Sequence, residues 1–164
     1  MTIAITLSEY LDRHHVNYDV VSHRFTQSSL DSSRSAHVPA NKLGKAVILQ
    51  NSKGKHLMAS LPGDYRLSLM RLNHKLQNDY HLISEVLLKD LFPDCAQGAI
   101  PSIGDAYKMN MMIDDALLKA DAVYIEAGDH TNLIKIERAQ YQDMMSDIPH
   151  ADICGTSIGM PRTI

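Results

Sequence analysis

Residues 41–61 read NKLGKAVILQNSKGKHLMASL. Two apolar runs, 46–49 and 57–61, flank the polar connection NSKGK at 51–55. Short runs containing Val and Ile, separated by a glycine-bearing turn, predict a β-hairpin. Lys45 stands one residue before the first run, at the mouth of its strand. From there its stem can lie along the sheet while its ammonium faces a cavity. Taken alone, a solvated strand-end lysine is the plainer reading of the same position.

On the N-terminal side, Thr6 and Glu9 have the spacing of a capping box, which predicts a helix to about residue 16 with Leu7, Tyr10 and Leu11 buried. A short strand follows at 18–21, then a serine-rich, weakly amphipathic helix within 26–36. On the C-terminal side, LPGD at 61–64 is a turn, 67–76 has helical spacing, and 80–83 reads as a strand. Ser84 can cap a helix holding Val86, Leu87, Leu88 and Leu91, which FPD at 92–94 ends. GAIPSIG at 98–104 carries two glycines and a proline, so it is a shaped loop. Strands are expected at 109–113, 122–127 and 133–136, with helices at 114–119 and 138–145 and a turn at GDHT, 128–131. Residues 146–164 lack a period and are expected to be an irregular tail outside a domain of residues 1–145. About seven strands joined mostly by short turns, with four or five helices, predict an α/β chain of the α+β type with a mixed, largely antiparallel sheet.

Composition narrows the function classes. A chain of 164 residues that is 45% hydrophobic can bury one core. No apolar run approaches the roughly 18 residues that a membrane-spanning helix needs. The N-terminus has no basic start and reaches acidic residues early, unlike a signal peptide. Cys95 and Cys154 stand alone, which suits a reduced, cytoplasmic setting. Charge is uneven: residues 34–75 carry a net +7 and residues 76–164 a net −8. A basic block of this kind either faces solvent or meets a polyanion such as a nucleic acid. Without interleaved aromatics it is no stacking platform for long single strands.

Several motifs fail. Residues 155–159 match GxSxG, but no acid or histidine follows to complete a triad. The nine histidines include no HxH, HxxxH or HExxH, so neither a metal nor another cofactor is expected. There is no Walker loop and no GxGxxG.

Three stretches do fit one family together: LGKAVIL (43–49) with LPGDYRL (61–67); LFPDCAQGAIPSIG (91–104); and IDDAL (113–117) followed by VYIEAGDHTNLIKI (123–136). In order and spacing the chain resembles the YbaK/prolyl-tRNA-synthetase-associated domain family from about residue 5 to about residue 145. The resemblance implies a compact domain whose mixed sheet curls toward a barrel. It also implies a trans-acting aminoacyl-tRNA deacylase, an editing hydrolase for tRNA mischarged with a small amino acid. Lys45 matches the lysine that the family needs for deacylation. Gly98, Ala99, Ile100, Pro101 and Ser102 match the loop lining the aminoacyl pocket, and Gly128, Asp129 and His130 match the far wall. Ser102 stands where relatives commonly have proline, so substrate choice does not carry over.

His23, Thr26 and Ser28 could border the pocket, although local capping is the simpler role for Ser28. Asp129 is expected to cap its turn, and Asp114 to begin a helix. The implied partners are the aminoacylated 3′ end of tRNA and a synthetase, with neither membrane nor DNA. A non-catalytic module of the same fold, binding tRNA, a nucleotide or a synthetase, is the alternative.

Overall fold

The computed structural model describes residues 3–158. The hairpin lies at its centre: β2 (Leu43–Gln50) and β3 (His56–Pro62) pair antiparallel from Gly44↔Pro62 to Gln50↔His56. Asn51 builds the turn, its side-chain oxygen accepting from the N–H of Lys53 at 3.1 Å and of Lys55 at 2.9 Å. Gly54 takes φ +78°, the left-handed angle that the turn requires.

Around the hairpin stand β1 (Asp19–Ser22), β5 (His81–Leu82), β6 (Asn110–Asp114), β7 (Ala122–Glu126), β8 (Asn132–Glu137) and β9 (His150–Ala151). The order is β1-β8-β7-β2-β3-β6-β9, with β5 added on β2. The β2–β7, β3–β6 and β6–β9 contacts are parallel and the other pairings antiparallel, giving a mixed sheet. The path is open, with β1 and β9 at its ends. A separate ribbon joins β4 (Tyr65–Leu67) to β10 (Cys154–Ser157). Flanking the sheet are α1 (Ile5–Arg13), α2 (Ser29–Ser35), α3 (Leu69–Leu76), α4 (Glu85–Leu91), α5 (Asp115–Lys119) and α6 (Arg138–Met144).

Strand alternation sorts the core onto two faces. Ala46, Ile48, Met58, Met111 and Ile113 join a cluster with Leu7, Leu11, Ile103 and Tyr141. Val47, Leu49, Leu57, Ala59 and Met112 join Leu72 of α3 and Ile153 on the other side. One local feature matters for function. β7 pairs with β2 only at Leu43 and Gly44, and β5 only at Leu49 and Gln50. On that side β2 has no strand partner between Gly44 and Leu49 among the described residues.

Two expectations need correction. Thr6 does not cap α1: the N-cap is Ala4, without a side-chain bond, and the Thr6 N–H is taken by Asp94 Oδ2 at 2.8 Å. A carboxylate 88 residues away does the capping, which a local pattern cannot reveal. Nor is the segment after 145 an irregular tail throughout. β9 pairs with β6, β10 pairs with β4, and Ile153 is fully buried. Strands of two and four residues are too short to show a period, and their partners are distant in sequence. The described part of the GxSxG match, 155–158, runs along this ribbon and not through a strand-to-helix turn; Gly159 lies outside the described residues.

Candidate functional site

Where β2 lacks a neighbour the molecule has a cleft of about 570 Å³. Ala46 contributes from β2, Glu85 and Leu88 from α4, Gln97, Gly98 and Ile100 from the glycine–proline loop, and His130 from the β7–β8 turn. Phe25 and Gln27 close it from the segment before α2, and Ser29 from the first residue of that helix. A second cavity of about 250 Å³ shares Glu85, Leu88, Gln97, Gly98 and Ile100, and adds Lys89, Phe92, Pro93, Cys95 and Ala96.

The walls are stapled through the backbone. The N–H of Thr26 donates to His130 O at 3.3 Å, that of His23 to Thr131 O at 2.8 Å, and that of Ala96 to Gly128 O at 2.8 Å. Gly98 has φ +83°, and a Cβ there would lie 3.0 Å from Gln27 O and 3.3 Å from His130 Cε1. Only glycine lets these three segments close on one another. His130 is itself left-handed, at φ +62°, and 6% exposed. Its ring meets Phe25 edge-on with centroids 5.2 Å apart. Non-glycine residues in this conformation cluster at functional sites because the surroundings must hold them there. In the loop, the Ala99 N–H bonds Ala96 O at 3.1 Å, whereas the amides of Gly98 and Ile100 find no acceptor among the described residues.

The expected site residues divide. Gly98, Ile100 and His130 line the cleft. Ala99 and Ser102 are fully buried and Pro101 is buried behind it. Ser102 Oγ packs 3.0 Å from where a Gly44 Cβ would stand and has no hydrogen-bond partner. Gly128 turns the chain at φ +103°, a Cβ there meeting that of Ala4 at 2.8 Å. Asp129 caps its turn, accepting from the N–H of Thr131 at 3.0 Å and of Asn132 at 2.9 Å. Ser28 is the N-cap of α2, accepting from the Asp31 N–H at 3.2 Å. Asp114 likewise caps α5 through the Ala116 N–H at 2.9 Å. Thr26 turns inward to Ser32 Oγ at 2.7 Å. Beneath that pair lies Glu126, 2% exposed, whose carboxyl burial pushes up to about 7 while the Ser32 hydroxyl pulls the other way.

Lys45 is the main difference from expectation. Ala46, not Lys45, lines the cleft, and alternation sends the lysine to the opposite face of β2. Its charged and polar neighbours there are Cys154, Arg66 and Asp64, all on or beside the β4–β10 ribbon. Burial lowers its pKa, and its ammonium has no carboxylate in ion-pair range among the described residues. Of the other basic residues in 34–75, Arg34, Lys42 and Arg71 are paired with Asp31, Asp121 and Asp152.

The chemistry available is limited and specific. Cys95 is no thiolate: burial raises its thiol to about 12, and its Sγ lies 3.1 Å from Tyr107 OH. No group of metal-ligating side chains occurs among the described residues. What the cleft offers is two free backbone amides, a buried imidazole and one carboxylate, Glu85. Sequence reasoning missed Phe25, Gln27, Ser29, Ala46, Glu85 and Gln97. All but Glu85 lie one residue from ones it named.

The family model for the aminoacyl-tRNA editing domain matches residues 23–144. Among solved structures, the chain is similar to a hypothetical protein, APE2540, at 16% identity, TM-score 0.79, covering 92% of this chain and 99% of that one. It is similar to a protein named as a candidate trans-editing enzyme for prolyl tRNA synthetase at 16% identity, TM-score 0.79, covering 95% and 99%. A protein named as a candidate signal transduction protein from Marinobacter aquaeolei VT8 contains the same fold within a longer chain, at 14% identity and TM-score 0.75, covering 94% of this chain and 31% of that one. No functionally curated protein matches the chain.

Proposed function

This chain belongs to the aminoacyl-tRNA editing domain family, and from that premise we propose that it is a trans-acting deacylase that hydrolyses a mischarged tRNA in the cleft beside Ala46. The observation that carries this reading is the pair of free amides at Gly98 and Ile100, held in a shaped loop on the cleft wall. The ester to the terminal ribose is already activated. Catalysis needs a held carbonyl, a water and donors for the oxyanion. Water attacks the carbonyl carbon, the amides accept the developing negative charge as hydrogen-bond donors, and the ester bond breaks. The ribose oxygen leaves with a proton and the amino acid is released as the free acid. The neighbouring ribose hydroxyl helps to place the water. His130 and Phe25 wall the acyl group in.

Lys45 acts from the other face of β2. An unpaired, desolvated ammonium on the strand segment that lacks a partner on one side suits an anchor for a phosphate of the tRNA 3′ end. It holds the substrate without touching the reacting atoms. Exposed Lys53, Lys55, Arg66 and Lys75 supply a wider field for the polyanion. Incubation with Ala-, Cys-, Ser- and Pro-tRNA tests the reading. At least one is expected to lose its amino acid well above the spontaneous rate. Tight tRNA binding with no substrate deacylated would make the protein a binding module instead.

A further inference from the structure

Glu85 is the one carboxylate lining either cavity, and it lines both. The larger cavity has no Lys or Arg in its wall, and the smaller one has only Lys89. Gln97 Nε2 donates to Glu85 Oε2 at 2.6 Å, which fixes the carboxylate against the residue that precedes Gly98. The other oxygen, Oε1, has no partner among the described residues. Resting on the deacylase reading, we propose that Glu85 receives the α-ammonium group of the aminoacyl ester at the partition between the two cavities.

The argument is one of connectivity and charge. In an α-aminoacyl ester the ammonium nitrogen and the ester carbonyl are attached to the same carbon. Whatever holds the carbonyl at the Gly98 amide must present the ammonium within a few ångströms of it. Glu85 is joined to that wall through the Gln97 side chain, a surface hydrogen bond that keeps the ammonium acceptor close to the carbonyl donor. An ionised acceptor held by a second hydrogen bond is already oriented, which lowers the ordering cost of binding. The plainer role for an acidic residue at the start of a helix is to complement the helix dipole. That role is indifferent to the amino group of a substrate, so the two can be separated.

The test compares Glu85→Gln with wild type on alanyl-tRNA and on its lactyl counterpart, in which a hydroxyl replaces the ammonium. The expected result is a drop of at least tenfold in kcat/KM for alanyl-tRNA and a change under twofold for lactyl-tRNA. Equal losses on both, or no loss on either, would overturn the assignment. Dissociation constants for the non-hydrolysable 3′-alanylamido and 3′-lactylamido adenosines give a second readout that needs no turnover. If wild type binds both and deacylates nothing, the deacylase reading falls. The Glu85 assignment then stands if Glu85→Gln weakens only the alanyl analogue, and falls if both weaken alike. If neither analogue binds, both ideas fall.

Discussion

Ala46 and Lys45 are neighbours in the chain and look out on different surroundings. On the Ala46 side, the polar groups are backbone amides and neutral or surface side chains arranged around an open cleft. On the Lys45 side, charge is held under cover: the lysine is half-buried, and Glu126 at the end of β7 is almost wholly so. Glu126 lies two residues after Tyr124, which packs with Leu43 on that same face. Apart from the Glu85 carboxylate, the first face is built from groups that can stabilise a passing negative charge without being ionised. The second carries ionisable groups at a cost in stability. The proposed deacylation and the proposed anchoring thereby fall on the two sides of one strand.

The division can be broken from either side. Gly98→Ala should have the largest effect. A Cβ at φ +83°, 3.0 Å from Gln27 O, displaces the amide proposed to face the carbonyl. A loss of about 10²–10³-fold in kcat is expected, the usual consequence of removing one oxyanion donor. A variant with near wild-type kcat would remove the cleft from the mechanism.

Glu126→Gln comes next and is read by unfolding as a function of pH. The folded-state pKa of about 7 lies above the ordinary 4.5, so the native state binds the proton more tightly than the unfolded one. The contribution of this group to stability is intact below pH 4.5, declines as pH rises to 7, and stays lost above that. The decline amounts to roughly 3 kcal/mol. It should appear in the difference between wild type and Glu126→Gln, and a flat difference across that window would place the carboxyl in a wetter site.

Lys45→Ala sharpens the comparison with a smaller effect of a different kind. Loss of a charged hydrogen bond to phosphate, about 1.5 kcal/mol or more, should raise KM about tenfold and leave kcat within about twofold. The salt dependence of KM should weaken in parallel. A fall in kcat at unchanged KM would put the lysine among the reacting atoms.

Much of the fold was legible because hairpins and short apolar strands announce themselves locally. The hairpin, β6 to β8 and all six α-helices lie within a few residues of expectation. The site was less legible for a definable reason. LGKAVIL is buried on both faces, so it lacks the alternation that would say which residues share a side. A one-residue difference exchanges the faces, and that is what separates Lys45 from Ala46. The same slip separates Thr26, which turns inward, and Ser28, which caps α2, from Phe25, Gln27 and Ser29, which line the cleft. Glu85 carried no motif. It becomes visible only when α4 and the Gly98 loop are brought together by the fold.

The most direct test of the two-sided account is amide chemical-shift mapping with 3′-alanylamido-3′-deoxyadenosine, which carries the acyl group and no phosphate. The account predicts that Gly98, Ile100, His130 and Gln27 shift while Asp64, Arg66 and Cys154 stay in place. Shifts confined to Asp64, Arg66 and Cys154 would contradict it and place the aminoacyl end on the lysine side of β2.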